Sequence, residues 1–124
     1  MRPETTEWLR QSEYDIGTAE AMYSTGRYVY TAFMCRLAVE KALLFGSQAR
    51  GNARKDSDFD LIVISPDFTK MASWRRWEVL GKAAARVMEP IEALAYSPEE
   101  VDDALQREGN FLRHILTEET IVSF

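Results

Sequence analysis

The chain has 124 residues, 46% of them hydrophobic and 28% charged. That suits one small packed domain, or one domain with a helical appendage, and excludes a disordered tail. The formal net charge of -5 and a pI of about 4.9 supply no broad basic footprint, which argues against long duplex DNA or RNA as the main partner.

The single cysteine, Cys35, excludes an intramolecular disulfide or a cysteine metal cluster and reads as a small buried hydrophobe. Around Arg2, Pro3, Glu4 and Glu7 no apolar leader is visible, and no run approaches the roughly 20 apolar residues that span a bilayer. A cytoplasmic protein is expected.

In chain order, residues 5 to 24 read as a helix, with Thr5 or Thr6 as N-cap and an apolar stripe through Trp8, Ile16, Ala19 and Tyr23. Ser24-Thr25-Gly26 ends it. A second helix is expected from about Arg27 to Lys41, because Tyr30, Phe33, Met34, Leu37 and Ala38 follow helical spacing. The two should form an antiparallel hairpin. A short apolar strand at residues 42 to 45 then runs into a Gly46-Ser47 turn, and a second strand carries Asp58, Asp60 and Leu61 to Ile64.

Ser65-Pro66-Asp67 closes that strand. Thr69 to Met88 reads as a helix carrying Met71, Trp74, Leu80, Ala84 and Met88, with Trp74 and Trp77 expected as core and flank residues rather than a stacking platform. Ile91 to Tyr96 has strand length. Ser97, Pro98 and Glu100 spell an N-cap, a first-turn proline and a capping box. A last short helix should follow Asn110 and carry Phe111, Ile115 and Leu116. The order implies an α+β or α/β domain around a small mixed sheet.

The chemistry concentrates in three places. An apolar strand stopping at Gly46-Ser47 gives a tight turn with exposed backbone N–H groups, suited to phosphate oxygens. Asp58 and Asp60 lie two residues apart, so on a strand both carboxylates share a face. Glu92 falls within an apolar strand and alternates with Leu94 and Tyr96, opposite Ile91, Ala93 and Ala95.

If Glu92 shares the side of Asp58 and Asp60, each close pair of charges costs on the order of 4 kcal/mol at about 4 Å with an effective dielectric of about 20. A divalent cation relieves this, and oxygen-only ligands point to Mg²⁺. The alternative has Asp58 capping a turn, Asp60 solvated and Glu92 exposed on an edge. Arg50, Arg54 and Lys55 form a local basic cluster that either attracts phosphate or solvates a loop.

Gly46-Ser47-Gln48-Ala49-Arg50-Gly51, then Ser57-Asp58-Phe59-Asp60-Leu61, with Glu92 as third acidic residue, resembles the signature of the minimal nucleotidyltransferases of the DNA polymerase beta superfamily, from about Leu43 to Ile121. The resemblance implies the nucleotidyltransferase fold, a small mixed sheet with flanking helices. It implies that Gly46 and Ser47 hold a triphosphate, with Ser57 in the nucleotide-binding set and Arg50 as a phosphate contact. Asp58 and Asp60 would clamp two Mg²⁺ ions, and Glu92 would ligate the inner one and help to activate an acceptor hydroxyl. The implied reaction moves a nucleoside monophosphate, AMP from ATP, to that hydroxyl.

The first residues resemble something else. Trp8, Ser12-Glu13-Tyr14-Asp15, Gly26-Arg27-Tyr28, Phe33-Met34-Cys35 and Ala38 to Leu43 are similar to the first helical hairpin of the HEPN family, helical partners of minimal nucleotidyltransferases in toxin and antitoxin pairs. The chain is thus expected to divide into a partial HEPN-like hairpin at 1–42 and a nucleotidyltransferase domain at 43–124. The pairing suggests a HEPN-family protein partner and a protein tyrosine as acceptor.

The HEPN ribonuclease motif has one formal match, Arg107 and His114, which Gly109 and Asn110 interrupt; it is not read as catalytic. A lone hairpin leaves one apolar face bare, so a homodimer through Tyr30, Phe33, Met34 and Leu37 is expected. The rival reading is an antitoxin-like interaction module that lost turnover, and a third is a nucleotide sensor.

Overall fold

The computed structural model describes Arg2 and residues 37–50, 58–86, 91–118 and 121–123. The expected helices at 5–24 and from 27 to residue 36 lie outside the described residues, as do Cys35, Arg54, Lys55 and Ser57.

Strand β1 (Lys41–Phe45) leads directly into a five-residue helix, α1 (Gly46–Arg50). Strand β2 (Phe59–Ile64) follows, then a 3-10 turn at Pro66–Lys70 and helix α2 (Ser73–Ala84). Strand β3 (Ile91–Tyr96), helices α3 (Pro98–Ala104) and α4 (Phe111–Glu118), and a two-residue strand β4 (Val122–Ser123) complete the order. The sheet runs β3-β2-β1-β4, with β1 antiparallel to both β2 and β4 and β2 parallel to β3. This is the expected small mixed sheet.

Strand alternation splits the apolar residues between two faces. One face carries Leu44, Phe59, Leu61 and Val63 and packs on Phe68 of the 3-10 turn and Leu80 and Ala83 of α2. The other carries Leu43, Ile62 and Ile64 and packs on Val101 of α3 and Ile115 and Leu116 of α4. Helices therefore cover both faces, and the β2-α2-β3 crossover is the connection that a parallel pair requires.

Three expectations are corrected. The helix foreseen up to Lys41 does not reach it: residues 37–40 are not helical and Lys41 opens β1. The Glu40 N–H continues the ladder by donating to the Ile64 carbonyl at 2.8 Å, and the Ala38 N–H donates to Asp67 Oδ2 at 2.9 Å. Leu37 is 5% exposed in the core, so it is not available to the expected dimer face; Tyr30, Phe33 and Met34 lie outside the described residues.

Second, the helix expected over 69–88 is shorter, because Ser65 Oγ caps the preceding 3-10 turn by accepting from the Asp67 N–H at 3.1 Å. Third, Trp74 and Trp77 are not core residues but are 68% and 71% exposed. They lie on a stripe with Gly81 and Ala84, one side of the helix round from Leu80 and Ala83, which face the sheet.

The capping box is as expected: the Glu100 N–H donates to Ser97 Oγ at 3.2 Å and the Ser97 N–H to Glu100 Oε1 at 2.8 Å. Asn110 caps α4 by accepting from the Leu112 N–H at 2.9 Å. Strand β4 was not foreseen, since two residues are too few to show a period.

Candidate functional site

The β1–α1 turn is built by Gly46, whose φ of +75° is a left-handed conformation that disfavours any side chain. A Cβ at Gly46 would collide with Asp60 Oδ2 and stand 3.2 Å from its Cγ. The glycine therefore lets the backbone of the turn lie against a carboxylate. The first N–H groups of α1, from Gly46 and Ser47 onward, have no partner within so short a helix.

Asp60 is the second residue of β2 and Glu92 the second of β3, and they are direct Cα partners in the parallel ladder. Partners in register share a sheet face, so the two carboxylates stand side by side. Further along, that face is sealed by Ile62, Ile64 and the α3–α4 layer; the end carrying Asp60 and Glu92 remains open, with Glu92 exposed and Asp60 half-buried. Asp58 precedes the strand rather than lying in it, and is exposed.

Burial, then the charges of Glu92 and Asp58, push the Asp60 carboxyl above its ordinary value, while Arg50 pulls it the other way. Three of the seven expected site residues, Glu92, Asp58 and Arg50, thus act on a fourth, Asp60. Gly46 joins them through its contact with Asp60 and Ser47 through the same turn. Ser57 lies outside the described residues.

Among the described residues, no three histidine, cysteine or carboxylate side chains form a ready-made metal cage. Asp60 and Glu92 share a sheet face and Asp58 adds its charge to that of Glu92 on Asp60, without a closed shell. Such an open, all-oxygen set fits Mg²⁺, which keeps waters and takes substrate phosphates into its shell. It does not fit zinc, for which nitrogen and sulfur donors are typical.

Arg107 lies in the connection after α3 and His114 in α4, and each has another partner: Arg107 pairs with Asp103 at 3.1 Å and His114 Nδ1 with Glu118 Oε2 at 2.5 Å, all exposed. They do not form a joint site. An open depression of about 660 Å³ beside His114, Asn110 and Phe111 lies on the α4 surface and includes none of the site carboxylates.

Sequence reasoning missed Arg76. Its guanidinium donates to the carbonyls of Phe68 (2.7 Å), Met71 (3.2 Å) and Ala95 (3.4 Å) and to Glu100 Oε1 (2.5 Å). It joins the 3-10 turn, β3 and the α3 cap, and so fixes the strand that carries Glu92. An arginine one position before Trp77 on an amphipathic helix gives no sequence signal of this.

The model of the nucleotidyltransferase domain family matches residues 30–122, and that of the HEPN domain matches residues 5–46. No curated protein matches the chain. Among solved structures, a Sulfolobus solfataricus protein provisionally assigned as a nucleotidyltransferase superposes with a TM-score of 0.52 at 16% identity, covering 83% of this chain and 82% of that one. A toxin-antitoxin crystal structure with AMP-PNP gives a TM-score of 0.47 at 21% identity, covering 57% of this chain and 56% of that one. With the fold, the Gly46 turn and the family match in agreement, the chain belongs to the nucleotidyltransferase domain family, a family of transferases.

Proposed function

We propose that this chain transfers a nucleoside monophosphate, AMP from ATP, to an acceptor hydroxyl, whose oxygen bonds to the α-phosphorus as the bond from that phosphorus to the α–β bridging oxygen breaks and pyrophosphate leaves. Asp58, Asp60 and Glu92 would hold magnesium, which supplies charge neutralisation for the triphosphate when bound. Gly46 and Ser47 present backbone N–H groups to the β- and γ-phosphates, with Arg50 and Ser57 as further nucleotide contacts. Glu92 Oε, the most exposed carboxylate on the sheet, accepts the hydrogen bond of the acceptor hydroxyl and orients it for in-line attack.

The observation that carries this reading is the register of Asp60 with Glu92 beneath a glycine turn that no side chain could complete. A fold gains nothing from two adjacent carboxylates that raise each other's energy, whereas a cation-dependent transfer uses both. A cytoplasmic setting, where ATP is supplied, accompanies the proposal.

The test is calorimetric titration of MgATP into the purified chain and into the Asp58→Asn/Asp60→Asn variant. Magnesium-dependent binding that the variant loses is the expected result; equal binding by both, or none to the folded chain, rejects the site.

A second reading is favoured by the HEPN match at residues 5–46. In it the chain acts as an antitoxin-like module that binds a HEPN-family partner, with a tyrosine of that partner as acceptor if turnover is retained. Tight binding to such a partner without ATP, and no transfer with it, separates this from the first.

A further inference from the structure

Strand β3 ends the sheet on one side, and its backbone polarity can be read residue by residue. The Tyr96 carbonyl accepts from the Ser65 N–H at 3.1 Å, on the β2 side, while the Ala95 carbonyl turns away to Arg76. Since a strand's polar groups alternate sides, Ile91 and Ala93 direct their N–H and C=O groups outward. Among the described residues no strand lies beyond them. Unpaired edge groups template another strand, and natural edges are normally protected by a charge, a bulge or a cover. Here, among the described residues, Arg76 covers the Ala95 end.

Beside that edge lies a groove of about 300 Å³ between Trp77, Leu80, Gly81 and Ala84 of α2 and residues Ile91 to Leu94 of β3. Gly81 lines it, and a Cβ there would meet nothing within 4 Å. Trp77, 71% exposed, forms a wall. An aromatic side chain, a glycine and a strand edge unpaired among the described residues match the recognition of an extended peptide by strand addition.

Charge decides the occupant. The edge strand's one charged residue is Glu92, on the sheet face opposite α2, in a chain of net charge -5. Of the cations on α2, Arg76 pairs with Glu100, and Arg75 and Lys82 share Glu78. Two copies meeting edge to edge would set two Glu92 carboxylates on one seam, which disfavours self-pairing. We propose that β3 and α2 form a docking groove for an extended basic segment of a partner protein, which adds as a strand beyond β3 with apolar side chains toward Trp77 and Gly81 and cationic ones toward Glu92. This inference does not depend on catalysis.

The test titrates the full chain with a short acetylated and amidated peptide alternating valine and lysine, following affinity by calorimetry and the Ala93 amide by hydrogen exchange. Binding should slow exchange at Ala93 by about tenfold or more, and replacing lysine by glutamate in the peptide should weaken it by at least about tenfold. Gly81→Leu, which fills the groove and favours the helix, should abolish peptide binding and leave MgATP binding intact. Retained binding by Gly81→Leu, equal binding of a peptide N-methylated along one edge, or no binding at roughly 1 mM peptide overturns the proposal. Protection of Ala93 that grows with protein concentration and without peptide also overturns it, in favour of a second copy.

Discussion

Gly46 lies so close to Asp60 that a methyl group on the glycine would occupy the space of the carboxylate oxygen. The contact joins the end of β1 to the start of β2, where Phe45 and Asp60 are ladder partners. The turn and the carboxylate are therefore one unit, and neither can be altered without moving the other.

Gly46→Ala meets two penalties: the φ of +75° and the collision with Asp60. Together they should cost about 1–3 kcal/mol of stability by urea unfolding, with MgATP binding lost. In the Gly46→Ala/Asp60→Ala double variant the collision is relieved but the backbone penalty stays, so the cycle should show partial recovery.

Asp60→Asn should be more stable than the parent at neutral pH. The folded state raises the Asp60 pKa above its ordinary 3.8, first by burial and then through Glu92 and Asp58. The folded chain thus holds the proton where the unfolded chain has released it. That contribution is fully present below 3.8 and is lost as pH rises through the folded value. Melting temperatures of the two proteins should separate on raising the pH and converge toward the acid end. Added Mg²⁺ should raise the parent's melting temperature but not that of the variant.

Arg76→Ala should destabilise by about 2–3 kcal/mol, since it takes a donor from the part-buried carbonyls of Met71 and Ala95 and one of two donors from the Phe68 carbonyl and from Glu100. Arg76→Lys should recover little, because one ammonium cannot span the carbonyls of Phe68, Met71 and Ala95 together with Glu100. Denaturant midpoints of the three proteins check this.

Ser97→Ala removes the cap of α3 and should cost about 1 kcal/mol. The same change should move Glu100. Burial pushes its carboxyl up, but hydrogen bonds from Ser97 and Arg76 hold it below its ordinary value. Losing the Ser97 hydroxyl should raise it, measurable as an NMR titration of the Glu100 side chain.

Local codes were legible in the sequence. The Ser97 box, the Asn110 start, the β3 alternation and the Gly46 turn each depend on residues within a few positions of one another, and each formed as expected. Longer-range competition was not legible. Leu37 and Ala38 sit at helical spacing after Phe33 and Met34, yet in the fold Asp67 binds the Ala38 N–H and Leu37 enters the core. Trp74 and Trp77 read as core and flank residues, but smaller residues one step round α2, Leu80 and Ala83, occupy the sheet-facing side. The pairing of Asp60 with Glu92 needed the β2–β3 register, which no local pattern states. Arg76 was missed for the same reason, since its partners come from three separate elements.

The parallel β2–β3 pair divides the chain's tolerance for insertion in an uneven way. The segment between Ile64 and Ile91 crosses over the sheet and can gain or lose residues at its loops while Asp60 and Glu92 remain abreast. A single residue inserted within Phe59–Asp60 or Ile91–Glu92 would instead turn one carboxylate through the sheet, toward Leu80 and Ala83. Over evolutionary time, length should drift freely in that crossover and stay fixed within the first two residues of each strand.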